Sequence, residues 1–397
     1  MNYIRTITPS QMRIINRSAI LDLVRRESPI SRSTIAEKLD VSLPTVMRIV
    51  DELVEEGLVR LLGATEWSGG RRRSLIEFNA HGQVMIGLDL GGVKLYGAVA
   101  DMGGQVLREA TVPHPPACGE EGYAQVTGLI EELLVGASQA GVAIRGIGVG
   151  APGLTDYEQG IVRWSPVFEW RDFPLRQRLT ERFRLPVIVD NDVNLSALGE
   201  VWFGSEQNAA KLVLISVGTG IGAGIVIDGA IYRGAHQAAG EIGYMLPGRE
   251  YLNTTATGLG PLEYLAAGTG IATRARKALA GQLSEQALEA LQADDVFEAY
   301  GRGESWSAAV IEETADYLAM AVSSVALCLD PDVIVLGGDL SHRFGALVEP
   351  VLARVRGTLP ASTRLAASTL GRRAAVMGAV TNVLHHTADF YALRSMA

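Results

Sequence analysis

The stretch Val187-Ile-Val-Asp-Asn-Asp-Val-Asn194 runs three β-branched apolar residues straight into Asp190, Asn191, Asp192 and Asn194. A continuous apolar run of this kind reads as a strand buried on both faces. Its polar cluster then falls at the carboxyl end, where open α/β sheets hold their ligands. Leu195-Ser-Ala-Leu-Gly-Glu-Val-Trp202 continues with helical spacing, so the cluster occupies a strand-to-helix turn. A carboxylate beside an amide can accept from and donate to a polyhydroxyl ligand. The competing reading is that these residues simply cap the helix, because Asx side chains favour such turns.

On either side of this stretch, apolar strands end in glycine turns. Val84-Met-Ile-Gly-Leu-Asp-Leu-Gly-Gly92 ends in Asp89 and a glycine pair, followed by the strands Lys94–Ala100 and Gln105–Val112. Ile215-Ser-Val-Gly-Thr-Gly-Ile-Gly-Ala-Gly224 places a second glycine turn between strands. Leu336-Gly-Gly-Asp339 follows the strand Asp332–Leu336 and a long apolar helix around Tyr317–Leu329. Such turns expose backbone N–H groups to a phosphate, and glycine lets the main chain approach closely. Two glycine hairpins separated by an acidic strand end predict an α/β body of the actin type: a duplicated, ribonuclease-H-like fold of two lobes. No helical pattern follows Gly218-Thr-Gly-Ile-Gly222, so this is not a dinucleotide fingerprint.

Ahead of the body lies a different pattern. Helical spacing around Ile15, Ala19, Ile20, Leu23 and Val24 stops at Ser28-Pro29, and Ser31–Leu39 forms a second helix. Ser42 is positioned to cap a third, with Pro44 in its first turn and Val46, Ile49, Val50 and Leu53 as its stripe. Gly57 ends it, and Leu58–Leu62 and Ser74–Phe78 read as strands joined by a tip, Trp67-Ser-Gly-Gly-Arg-Arg-Arg73. Three helices and a hairpin predict a winged helix-turn-helix. Its third helix would present Ser42, Leu43, Pro44, Thr45 and Arg48 to the major groove. Arg48 suits a guanine edge or a phosphate, and Arg71, Arg72 and Arg73 suit a minor groove. A packing module with a solvated basic loop is the alternative. The expected division is a head of residues 1–80 and a body of 81–397.

Composition agrees with two folded units. The chain has 397 residues, 48% of them hydrophobic and 20% charged. Residues 1–80 carry 12 Lys and Arg against 10 Asp and Glu, leaving 23 against 34 for the remainder of a chain of net charge −9. An acidic body argues against a general nucleic-acid surface there, and the mildly basic head permits one. Cys118 and Cys328 lack metal-ligand spacing and are expected to be buried thiols. His81, His114, His236, His342, His385 and His386 read as structural or surface residues. Without a membrane-length apolar run or a signal core, the expectation is a cytoplasmic protein.

These motifs together resemble the ROK family of repressors, open reading frames and sugar kinases. Asp89-Leu-Gly-Gly-Val-Lys94 is similar to its first phosphate loop, with Val93 in place of a threonine, and Gly218–Gly222 to its second. The resemblance assigns Asp89, Gly91, Gly92, Lys94, Gly218, Thr219, Gly220 and Gly222 to phosphate loops, possible relics of a kinase. It assigns Asn191, Asp192, Glu241 and Glu263 to sugar binding, with Tyr244 where the family usually has histidine. The family's three zinc cysteines correspond to Thr254, Ala256 and Pro261, so no structural zinc and no other cofactor is expected. Trp164 and Trp170 flank a loop that stacks on a sugar or packs internally, and Val167 stands where the kinases often have asparagine. The resemblance implies a sugar-responsive repressor, homodimeric or homotetrameric, with operator DNA and a sugar-like effector as partners. A working sugar kinase with an added head is the alternative. There Asp192 would be the general base, and the phosphate loops would hold ATP and Mg²⁺.

Overall fold

The computed structural model describes residues 8–388, except 69–70, 93, 114–116, 140–142, 208, 254–258, 341–342, 344–345 and 361, and not the side chains of 64–73, 138 and 139. The head contains α1 (Pro9–Glu27), β1 (Ile30–Ser31), α2 (Arg32–Leu39), α3 (Leu43–Glu55), β2 (Val59–Ser68) and β3 (Arg71–Phe78). α1 starts earlier than its apolar spacing predicts, because Thr8 and Gln11 form a reciprocal capping box and Pro9 occupies the first turn. Val46, Ile49, Val50 and Leu53 of α3 are fully buried. Two expectations need correction here. Ser42 stands at the cap position of α3 but makes no side-chain cap bond; its hydroxyl pairs with that of Thr45 at 2.8 Å. The arginine tip is strand rather than loop: Arg71, Arg72 and Arg73 pair with Ser68, Trp67 and Glu66.

The body is built twice over. β4 (Gln83–Leu90), β5 (Lys94–Asp101), β6 (Val106–Pro113), α4 (Gly119–Gln139) and β7 (Ala143–Ala151) come first. They are followed by β8 (Leu154–Asp156), β9 (Ile161–Ser165), β10 (Trp170–Phe173), α5 (Leu175–Phe183), β11 (Val187–Asn191) and α6 (Asp192–Phe203). Then come β12 (Lys211–Val217), β13 (Ile221–Ile227), β14 (Ala230–Ile231), α7 (Pro261–Ala266), α8 (Gly268–Ala278), α9 (Glu285–Ala290), α10 (Ala293–Gly301) and α11 (Ser305–Leu329). β15 (Val333–Gly337), α12 (Val348–Val355), β16 (Arg364–Ala367) and α13 (Ala374–Ala388) close the chain. The two large sheets have the orders β11-β7-β4-β5-β6 and β14-β13-β12-β15-β16. In each, the first strand pairs antiparallel with the second and parallel with the fourth. This is the duplicated α/β fold the glycine hairpins predict.

α6 and α13 lie between the sheets. They cross so closely that a Cβ on Gly378 would stand 1.7 Å from the Leu195 carbonyl oxygen, and only glycine allows this approach. The same apolar cluster continues from Met377, Val380, Val383 and Leu384 into Ile20, Leu21 and Val24 of the head. Arg17 Nε donates to the carbonyl of Ala388 at 3.2 Å, Gln83 Nε2 donates to that of Glu56 at 2.8 Å, and Arg25 lies 4.7 Å from the Trp202 ring centroid. The head is therefore seated on the body by core packing as well as polar contacts.

Cys118 and Cys328 are both exposed, contrary to expectation. Cys328 lies in the last turn of α11 beside exposed Leu327, while Val322, Val325 and Ala326 take the inward positions. Among the described residues no helix is long and apolar enough to cross a membrane.

Candidate functional site

The strand ends of both lobes converge on one cleft. Asp89 stands at the end of β4, Asn191 and Asp192 at the β11–α6 junction, and Gly218, Thr219 and Gly220 in the β12–β13 turn. The two glycine turns face one another: a Cβ on Gly92 would lie 3.0 Å from Thr219 Oγ1. Gly222 begins the return strand against Val193 of α6, and Gly91 turns back towards the carbonyl of Lys94. Val93, Thr254 and Ala256 lie outside the described residues.

The carboxyl groups feel one another. Burial pushes Asp89 well above the usual carboxylate range, and the charges of Asp192 and Asp339 push it further, while Lys94 opposes them. Burial also pushes Asp192 up to about 7, despite the Val193 N–H donated to its carboxylate; Glu241 and Asp339 add to the rise. Glu241 is raised by burial and by Glu263. Among the described residues Lys94 is the cation that lowers Asp89. The cleft thus holds a dense acceptor set that favours a ligand bringing hydroxyl protons.

Not every predicted site residue is equally available. Asn191 is the N-cap of α6: its Oδ1 accepts from the amides of Val193 and Asn194 at 3.0 and 3.1 Å, and its Nδ2 donates to Gly153 O at 3.1 Å. The capping role weighed against ligand binding is therefore present. The Glu241 carboxylate has no hydrogen-bond partner among the described residues and remains an open acceptor, while Asp192 Oδ1 takes the Val193 N–H at 2.9 Å. Glu263 is committed to the backbone, Oε1 to Ile221 N at 2.9 Å and Oε2 to Gly260 N at 2.7 Å. It fastens the second glycine turn to the start of α7 while standing beside Glu241. Tyr244 sits in a short 3-10 turn, 50% exposed, its hydroxyl raised by burial, Glu263 and Glu241. Pro261 opens α7 and offers no donor, so the residues described at the zinc positions do not fit zinc.

Trp170 is not a ligand platform. It is buried in a stack with Phe168 and Phe173, centroids 4.3 and 4.4 Å away. Trp164 remains partly exposed under the Arg171 guanidinium. Sequence reasoning left Asp339 out of the site, although Gly337-Gly338-Asp339 places a carboxylate at a strand end as Asp89 does. It also left out Arg233, which binds buried Asp190 at 2.6 Å and covers the Tyr157 ring at 3.7 Å. Tyr157 in turn hydrogen-bonds His386 on α13. The six histidines otherwise keep their structural or surface reading where described: His81 meets Asp101 at 2.6 Å and His385 packs edge-on against Trp202. His114 and His342 lie outside the described residues.

In the head, Pro44, Thr45 and Arg48 lie on the first turns of α3, with Pro44 and Arg48 exposed. The side chains of Arg71, Arg72 and Arg73 lie outside the described residues.

Residues 85–386 match the ROK family and residues 15–60 match winged helix-turn-helix DNA-binding domains. The chain belongs to the ROK family. The xylose repressor of Caldicellulosiruptor bescii is 29% identical to this ROK chain over 95% of it and 97% of the relative. A glucokinase of Halalkalibacterium halodurans is 35% identical over 92% of its own length but only 74% of this chain. The crystal structure of a ROK family transcriptional regulator, a homologue of the E. coli MLC protein, superposes with a TM-score of 0.83. It is 25% identical and covers 95% of this chain and 98% of its own.

Proposed function

We propose that this ROK protein is a sugar-responsive transcriptional repressor. The observation that carries the reading is one of extent. The xylose repressor matches head and body together, whereas the glucokinase matches a length equal to the body alone. The head binds operator DNA through α3, and the wing arginines add phosphate or minor-groove contacts. The cleft takes a sugar or sugar-like effector through Asp192 and Glu241, with Asn191, Glu263 and Tyr244 shaping its walls. A dimer would place two heads on two half-sites, and lobe closure would alter their spacing. The test is titration of full-length protein against duplexes selected from a random pool, with and without pentoses and hexoses. The reading expects specific binding that one sugar shifts by tenfold or more; specific binding insensitive to every sugar defeats it.

A kinase reading keeps two observations in its favour. Asp192 pushed up to about 7 is suited to act as a general base near neutral pH, and the facing glycine turns suit a nucleotide. Sugar-dependent ATP turnover by purified protein decides for it.

A further inference from the structure

On the repressor reading, we infer that α3 distinguishes A·T pairs by the thymine C5-methyl group, through Leu43 and Met47. The α3 stripe that packs the head is complete without them: Val46, Ile49, Val50 and Leu53 are fully buried. Leu43 and Met47 stand one turn apart on the flank that adjoins this stripe, 44% and 47% exposed. The fold gives two bulky apolar side chains in water no use, but the major groove offers them one apolar base-edge group, the thymine methyl.

Two further observations point to DNA as the occupant. Arg13, Arg17, Arg25, Arg26, Arg32, Lys38 and Arg60 of the head each meet a carboxylate. Among the head's described side chains Arg48, on the same helix, is the cation left without one, so α3 itself carries an unneutralised positive charge. In addition, residues 42–51 contain neither Asn nor Gln, the side chains that read adenine by paired hydrogen bonds. Ser42 and Thr45 can offer an A·T pair single hydrogen bonds, the methyl group is what Leu43 and Met47 add at it, and Arg48 is left for guanine or phosphate.

The test uses full-length protein and duplexes selected from a random pool, with each thymine replaced singly by uracil, which removes only the methyl. We expect uracil at one or two positions per half-site to weaken binding roughly threefold to fivefold, as burying one methyl would give. The penalty should vanish at one position in Met47→Ala and at another in Leu43→Ala, while Arg48→Ala leaves it intact. Both apolar changes are at exposed positions. No uracil penalty, or a penalty unchanged in both variants, overturns the inference alone. A change of oligomeric state in Leu43→Ala or Met47→Ala with the penalty unchanged also overturns it and assigns the patch to a protein contact. Failure to enrich any duplex overturns the repressor reading and this inference together.

Discussion

The two lobes share one wiring diagram and differ in where they put charge. In the first lobe the leading strand itself ends in a carboxylate, Asp89, and its glycine turn leans on Thr219 of the other lobe. In the second lobe the leading strand ends in Val217, and the carboxylate, Asp339, arrives from the fourth strand's turn. The second turn is also tied down. Gly218 N donates to Gly220 O at 2.9 Å, Gly268 N donates to Gly218 O at 2.8 Å, and Glu263 takes Ile221 N. Duplication has preserved the backbone ladder, which hydrogen bonding constrains, and let the strand ends diverge, where side chains meet the ligand.

The seam common to both lobes should be the least forgiving part. Gly378→Ala would drive a methyl into the Leu195 carbonyl, backbone against backbone, and should cost about 3 kcal/mol or more in denaturant unfolding. A cost below about 1 kcal/mol would show that α6 and α13 can part without disturbing either lobe. Glu263→Gln comes next. An amide cannot accept from both Ile221 and Gly260, so we expect a loss of about 1.5–3 kcal/mol, read by the same unfolding curve. A neutral outcome would mean the second turn is held by its own backbone bonds.

A smaller effect with a distinctive pH dependence is expected from Asp192→Asn. Asp192 is raised in the folded protein, so the native state holds a proton that the unfolded chain releases. Wild-type stability should fall as pH rises from about 4 through about 7. The variant should lose that share of the slope, its melting temperature gaining on wild type more at pH 8 than at pH 5. Equal gains at both values would place the burden on Asp89 instead. The smallest effect, also stabilising, is expected on the first lobe's outer helix. Gly128 of α4 has open space around its missing Cβ, so Gly128→Ala should stabilise by about 0.5–1 kcal/mol.

Much of this arrangement was legible in the sequence. Alternating apolar runs and glycine turns located the leading strands of both lobes, and Asp89, Asp192 and Glu241 do lie at one cleft. Side-chain commitments were less accessible. That Glu263 spends its oxygens on Ile221 and Gly260 depends partly on a contact 42 residues away in the chain. Asn191 was readable both ways, since capping and ligand binding ask for the same amide. For Trp170 sugar stacking and internal packing both stayed open, because spacing cannot reveal the Phe168–Trp170–Phe173 stack. The wing arginines looked like loop because serine and paired glycine before them favour turns, yet cross-strand pairing carries the ladder through them.

The seat of the head on the body has a consequence for how such proteins diversify. Arg17 reaches the carbonyl of Ala388, and Gln83 reaches that of Glu56. In each bond one half is main chain, which every amino acid supplies alike. Residues 56 and 388 can therefore drift without breaking these two bonds. A body can keep its grip while the head it carries is exchanged for one that reads a different operator.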